Sequence, residues 1–271
     1  ANSLAGVSAG AINAVYLASY QGQWLEAVDS LIETWLKLET RKVYHTDLQS
    51  VLRRIFLVVG RFLTGGRLGS YNLKGMVDNQ PLENFLSEVL DHQDFQLTGI
   101  KKNLASGLLD AVAVIGTEYS AGRSVAWVEG SGQNIWNRSQ VKAQATKLSI
   151  KHVMASSALP FFFPAVSIED TWYGDGGIRL NAPLSPAMHL GASKILAVSP
   201  RANPNIQEPV EVEKYPSPGQ IAGVLLNSIF LDLLDYDALQ MNRINRLLDS
   251  IKNEEEAGFR RVDVMILRPR Q

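Results

Sequence analysis

The chain has 271 residues, 46% of them hydrophobic, which suits one large α/β domain with a sizeable core. A formal charge of −1 at pH 7 argues against nucleic acid as a general partner. The absence of cysteine excludes disulfides, thiol catalysis and a cysteine-ligated zinc. No apolar run approaches the roughly 20 residues that span a bilayer, so no membrane span is expected.

In chain order, Ser3 to Ala5 read as the end of a short strand. Gly6-Val7-Ser8-Ala9-Gly10 follows, a spacing that holds a serine on a strand-to-helix turn. Glycines two residues to either side of Ser8 are expected to lack Cβ atoms that would collide in so sharp a bend. Ala9 to Tyr16 then reads as a helix, whose first N–H groups would face an oxyanion formed at Ser8. Trp24, Val28, Leu31, Ile32 and Trp35 recur at helical spacing, and bulky residues so spaced are expected to face the core. Residues 41–70 stand out by charge. Arg41, Lys42, Arg53, Arg54, Arg61 and Arg67 are opposed only by Asp47, with an apolar run between them that includes Ile55, Phe56, Leu57 and Phe62. Such a segment fits either a lid on a membrane interface or a helix packed on the core with a basic edge. Pro81 opens another helix, and Val112 to Ile115 and Ile195 to Ser199 read as buried strands. Ile168 to Ile178 reads as a hairpin-like strand and turn, with glycines at 174, 176 and 177 expected to supply positive φ. Pro200 to Pro218 reads as a surface loop, Ile221 to Ile251 as a long helix and Arg261 to Leu267 as a final strand. Alternation of helix and strand argues for a parallel-leaning sheet covered by helices.

A serine hydroxyl is a poor nucleophile until something takes its proton. The chain offers His45, His92, His152 and His189, none in an obvious catalytic setting, and only His189 follows Asp175 in the order Ser, Asp, His. Asp175, flanked by Gly174, Gly176 and Gly177, is a carboxylate that could accept the proton directly, although Asp-Gly is also an ordinary turn.

Three stretches taken together resemble the patatin-like phospholipases: Gly6 to Ala14, Ala155-Ser156-Ser157-Ala158-Leu159-Pro160 with Phe163-Pro164, and Asp175-Gly176-Gly177 with Asn181 to Leu184. Weaker likeness runs through Ala111 to Val128 and Gly191 to Val198. The resemblance implies a three-layer α/β/α fold with a mostly parallel central sheet, filling residues 1–271 as a single domain. It implies cleavage of acyl esters of lipids, of phospholipase A or lysophospholipase type, by a serine and aspartate dyad without histidine and without a cofactor or metal. By motif matching Ser8 would be the nucleophile, Asp175 the general base and the Ala9 backbone N–H an oxyanion donor, with Gly6, Gly10, Gly176 and Gly177 as motif glycines. The family places a glycine-rich oxyanion loop before the elbow. This chain starts seven residues before Ser8, so it is expected to be truncated at its N-terminus. The expected partner is a phospholipid or other acyl lipid, with peripheral membrane contact through 41–70 and no nucleic acid. The expected location is cytoplasmic or peripheral membrane. A Ser-His-Asp carboxylesterase using His189 or His152, and a non-catalytic lipid-surface module, are the alternatives.

Overall fold

The computed structural model describes residues 2–38, 78–90, 92–130, 135–137, 141–160, 162–200, 216, 220, 224, 233–250 and 260–269. The basic segment 41–70, with His45, lies outside the described residues, as does most of the proline-rich stretch 200–218. The chain divides into two compact units, 1–179 and 180–271.

The first unit begins with β1 (Ser3–Val7), α1 (Ala9–Ser19) and α2 (Trp24–Leu36). It continues with α3 (Gln80–Val89), the two-residue strands β2 (His92–Gln93) and β3 (Gln96–Leu97), and α4 (Thr98–Ala105). Next come β4 (Ala111–Glu118), β5 (Arg123–Gly130), β6 (Val141–Ala145), α5 (Ile150–Ser156), β7 (Val166–Ile168) and β8 (Thr171–Asp175), ending in a 3-10 turn at Gly176–Ile178. Six of the strands form one sheet in the order β6-β5-β4-β8-β7, with β1 also paired to β4. The α/β class is as expected, but the sheet is mixed rather than mostly parallel. β1 runs parallel to β4 and β6 parallel to β5, while β4 meets β5 and β8, and β7 meets β8, antiparallel. The cause is local: two tight hairpins need no helical crossover. One joins β4 to β5; the other joins β7 to β8 through Glu169 and Asp170, both at positive φ, the backbone that matches strand twist.

Both faces of the central strands are buried, which is why they read as near-continuous apolar runs. On one face Val112, Val114, Val125 and Trp127 share a core with Ala11 and Val15 of α1, Phe85 and Leu86 of α3, Ile100 of α4, and Ile150 and Val153 of α5. Each fully buried aliphatic side chain there contributes roughly 1.5–3 kcal/mol. On the other face Ala113, Ile115, Ala126 and Val128 are equally inaccessible. Trp127 lies across Gly116, where a Cβ would stand 2.5 Å from the indole. His152 and Tyr173 meet its ring edge-on, each with centroids 5.0 Å away.

Helix α2 forms where its spacing predicts, started by a capping box between Gln23 and Glu26. Its bulky face is only partly core, however: Leu31 packs against the buried cluster and Val28 is half-buried. Ala27 is the only fully buried residue of the helix, and Trp24 and Ile32 are 44% and 51% exposed. The helix packs on α1, with a hydrogen bond between the Tyr16 and Ser30 hydroxyls (2.8 Å) and one from Trp35 Nε1 to Asn13 Oδ1 (2.7 Å).

The second unit holds α6 (Ser185–His189), β9 (Lys194–Val198), α7 (Leu233–Ser250) and β10 (Asp263–Leu267). β10 pairs parallel with β9, and Ala238 and Met241 of α7 pack with Ile195 and Val262. The Asn245 amide both donates to and accepts from Val262, at 2.8 and 3.2 Å. β9 is half-buried, not fully buried: its side chains alternate, leaving Leu196 and Val198 exposed. Of the long helix expected over 221–251, α7 covers the described part from Leu233. Among the described residues no helix is long and apolar enough to cross a membrane.

Candidate active site

The site arises because two strands share one edge of β4. β1 pairs with Ala111 to Ile115, and β8 takes over at Gly116 to Glu118. Val7 stands opposite Ile115 and Asp175 opposite Gly116, so the tips of β1 and β8 meet head-on, one residue apart along β4. The next position along β1 is blocked by β8. The chain must leave the sheet at Ser8, and it turns directly into α1.

That turn is strained. Ser8 has φ 55° and ψ −129°, a backbone that L-residues rarely adopt and that costs on the order of 1–3 kcal/mol. Gly6 makes it possible, because a Cβ there would fall 2.1 Å from the Gly10 carbonyl oxygen. Gly10 plays no such part, contrary to expectation: among the described residues a Cβ at that position meets nothing within 4 Å.

The half-buried Ser8 hydroxyl donates to Asp175 Oδ2 at 2.6 Å, across 167 residues of sequence. Asp175 is fully buried. Its backbone N–H donates to the Ala158 carbonyl at 2.9 Å, its carbonyl accepts from Thr117 Oγ1 at 2.8 Å, and its Oδ1 accepts from the Gly177 N–H at 2.8 Å. Burial pushes the Asp175 carboxyl up to about 6, against the opposing pull of the Ser8 and Gly177 hydrogen bonds. The flanking glycines serve close approach instead of positive φ. None of 174, 176 and 177 is in the left-handed region. A Cβ on Gly176 would lie 2.2 Å from the Ile115 carbonyl oxygen, and one on Gly174 would lie 2.1 Å from the Tyr119 hydroxyl. Burial, and then the charge on Asp175, hold that Tyr119 phenol above its usual range.

Ala9 is the first residue of α1, so its N–H is one of the helix's orphan donors, and no acidic side chain occupies the first turn to neutralise the positive end. Two of the described histidines make contacts of their own in the first unit. His152, third residue of α5, is buried with Nδ1 3.1 Å from the Ser149 N–H and 2.8 Å from its hydroxyl. Burial drives its pKa down to about 4. His92 stacks on Phe95, and His189 belongs to the second unit.

Sequence reasoning assigned no role to three further residues. Ser156 Oγ accepts the Ser8 backbone N–H at 3.0 Å and donates to the Ile115 carbonyl at 2.6 Å; Ser157 Oγ donates to the Ser8 carbonyl at 3.2 Å. Thr117 anchors the Asp175 peptide, as above. Ser156 and Ser157 lay inside a stretch quoted for its likeness to a family. The available signal was therefore the stretch itself, two small polar residues at the C-terminal end of the helix.

The arrangement brings together a hydroxyl, a carboxylate of near-neutral pKa and the N-terminus of α1, whose first turn carries no acidic residue. A family model, Patatin-like phospholipase, matches residues 1–188, a span that includes both Ser8 and Asp175. No curated protein matches the chain.

Proposed function

We propose, starting from the fact that the chain belongs to the patatin-like phospholipase family, whose members are lipid acyl hydrolases, that it cleaves acyl lipids through a Ser8–Asp175 dyad. The observation that carries this reading is the 2.6 Å hydrogen bond from the Ser8 hydroxyl to a buried carboxylate. Asp175 takes the Ser8 proton as Oγ attacks the ester carbonyl. The negative charge on the tetrahedral oxygen is met by the Ala9 N–H at the positive end of α1. Collapse expels the alcohol, which leaves with the proton from Asp175, and an acyl-Ser8 ester remains. Water then attacks that ester while Asp175 accepts its proton, releasing the fatty acid and restoring Ser8.

A carboxyl near 6 suits this task better than one at 3.8, because a stronger base takes the proton more readily while still being ionised at neutral pH. The same reading takes a phospholipid or other acyl lipid as substrate, with a peripheral lipid contact through 41–70 tested by the salt sensitivity of vesicle binding. The dyad is tested by measuring hydrolysis of a short-chain ester and a phospholipid by the wild type, Ser8→Ala, Asp175→Asn and His152→Ala. Loss in the first two variants with His152→Ala retained is the expected outcome; activity that survives Ser8→Ala removes the assignment.

A further inference from the structure

The end of helix α5 presents two consecutive hydroxyls to the two peptide groups that flank the Ser8 Cα. Ser156, fully buried, accepts the Ser8 N–H and passes its own proton to the Ile115 carbonyl on β4. One oxygen atom thus stands between β1 and β4 in place of a direct rung of the parallel ladder. The spacer holds Ser8 off the sheet edge just where β8 arrives. Ser157, 8% exposed, donates to the Ser8 carbonyl, which also accepts the Ala11 N–H at 2.9 Å. The strained φ of 55° persists only if its surroundings over-determine it. In the described structure those surroundings include this pair of hydroxyls, besides β8, the close approach at Gly6 and the start of α1.

We infer that Ser156 and Ser157 are positioning residues for the reaction, a clamp that holds the Ser8 backbone in its strained turn so that the hydroxyl points at Asp175. This rests on the Ser8–Asp175 reading above. Neither serine touches substrate or moves a proton of the reaction. Without the spacer, the Ser8 N–H loses the hydroxyl that holds it off the sheet edge, the turn relaxes and the Ser8 hydroxyl leaves Asp175. The carboxyl then loses a hydrogen bond that favours its ionised form. The titratable neighbour that feels the Asp175 charge is Tyr119, whose phenol stays neutral.

The test compares Ser156→Ala with Ser149→Ala in the complete protein. Ser149 caps the other end of the same helix, so its loss serves as a purely structural control. A misplacement of about 1 Å at a reacting atom costs roughly a hundredfold, so Ser156→Ala should lower kcat about 10- to 100-fold with KM nearly unchanged. The acid limb of its pH–rate profile should move upward from about 6. Ser149→Ala, destabilised to a similar extent, should keep both kcat and the midpoint. Ser157→Ala, which leaves the Ser8 carbonyl its Ala11 partner, should lower kcat by a smaller factor, about threefold or more, and serves if Ser156→Ala does not fold. A kcat within twofold of wild type in both variants overturns the clamp, as does an equal loss in Ser149→Ala. Labelling with a serine-reactive phosphonate separates the two layers of the argument: no label on wild-type Ser8 overturns the dyad itself, whereas equal labelling rates in wild type and Ser156→Ala overturn only the clamp.

Discussion

Asp175→Asn should destroy activity and yet gain stability relative to wild type as the pH rises. The substitution keeps the shape of the side chain, and its carbonyl oxygen can still accept the Gly177 N–H while the amide faces Ser8. What it removes is a buried charge. The Asp175 carboxyl sits at about 6 in the folded protein against an ordinary 3.8, so its ionisation opposes folding. The penalty is absent well below 3.8, grows as pH rises through the window from 3.8 to about 6, and is complete above that. At about 1.4 kcal/mol per pH unit the full penalty is about 3 kcal/mol, of which only about 1 kcal/mol is present at pH 4.5. Asn carries none of it. The stability of Asp175→Asn relative to wild type should therefore rise by about 2 kcal/mol between pH 4.5 and pH 8, whatever constant amount the amide loses in packing. Urea unfolding of both proteins at the two pH values measures that difference. Turnover at pH 8 should fall about a hundredfold to ten-thousandfold, the range of general-base catalysis. A stability difference that is the same at both pH values would refute the claim that Asp175 is a buried, charged base.

The pH–rate profile for kcat/KM should bend near 6 and fall about tenfold per unit below it, since only ionised Asp175 accepts a proton; an acid limb near 4 would deny it this role. Ser8→Gly should be more stable than Ser8→Ala by about 1 kcal/mol in thermal unfolding, because both lose the bond to Asp175 but only glycine relieves the strained turn. Gly10→Ala should be neutral or stabilising by up to about 1 kcal/mol, since its Cβ meets open space inside a helix, while Gly6→Ala should cost about 3 kcal/mol or more through collision with the Gly10 carbonyl. Chemical denaturation of the two variants side by side separates steric need from motif membership.

Several elements were legible because local chemistry announces them: a glycine before a sharp bend, a proline at a helix start, apolar runs in buried strands. Ser8 and Asp175 stood out as candidates through the resemblance of three stretches taken together, not through either motif alone. The reason Ser8 and Asp175 meet was not legible. It lies in the division of one edge of β4 between β1 and β8, a pairing of strands far apart in sequence that no local pattern encodes. Gly10 and the glycines around Asp175 show a related limit, since a glycine in the sequence does not say whether it serves positive φ, a close approach or neither. The apolar stripe of α2 was legible as a helix but not as only partly buried, because periodicity reports amphipathicity and not what stands opposite. The hydroxyls of Ser156 and Ser157 went unread for the same reason: their partners are more than 40 residues away.

The most direct test of the account is to treat the complete protein with a serine-reactive phosphonate and map the adduct by peptide mass spectrometry. A single adduct on Ser8, formed quickly above pH 7, slowly at pH 5, and lost in Ser8→Ala, is the predicted result. An adduct on another serine, or hydrolysis of lipid by a protein whose Ser8 stays unmodified, would contradict it.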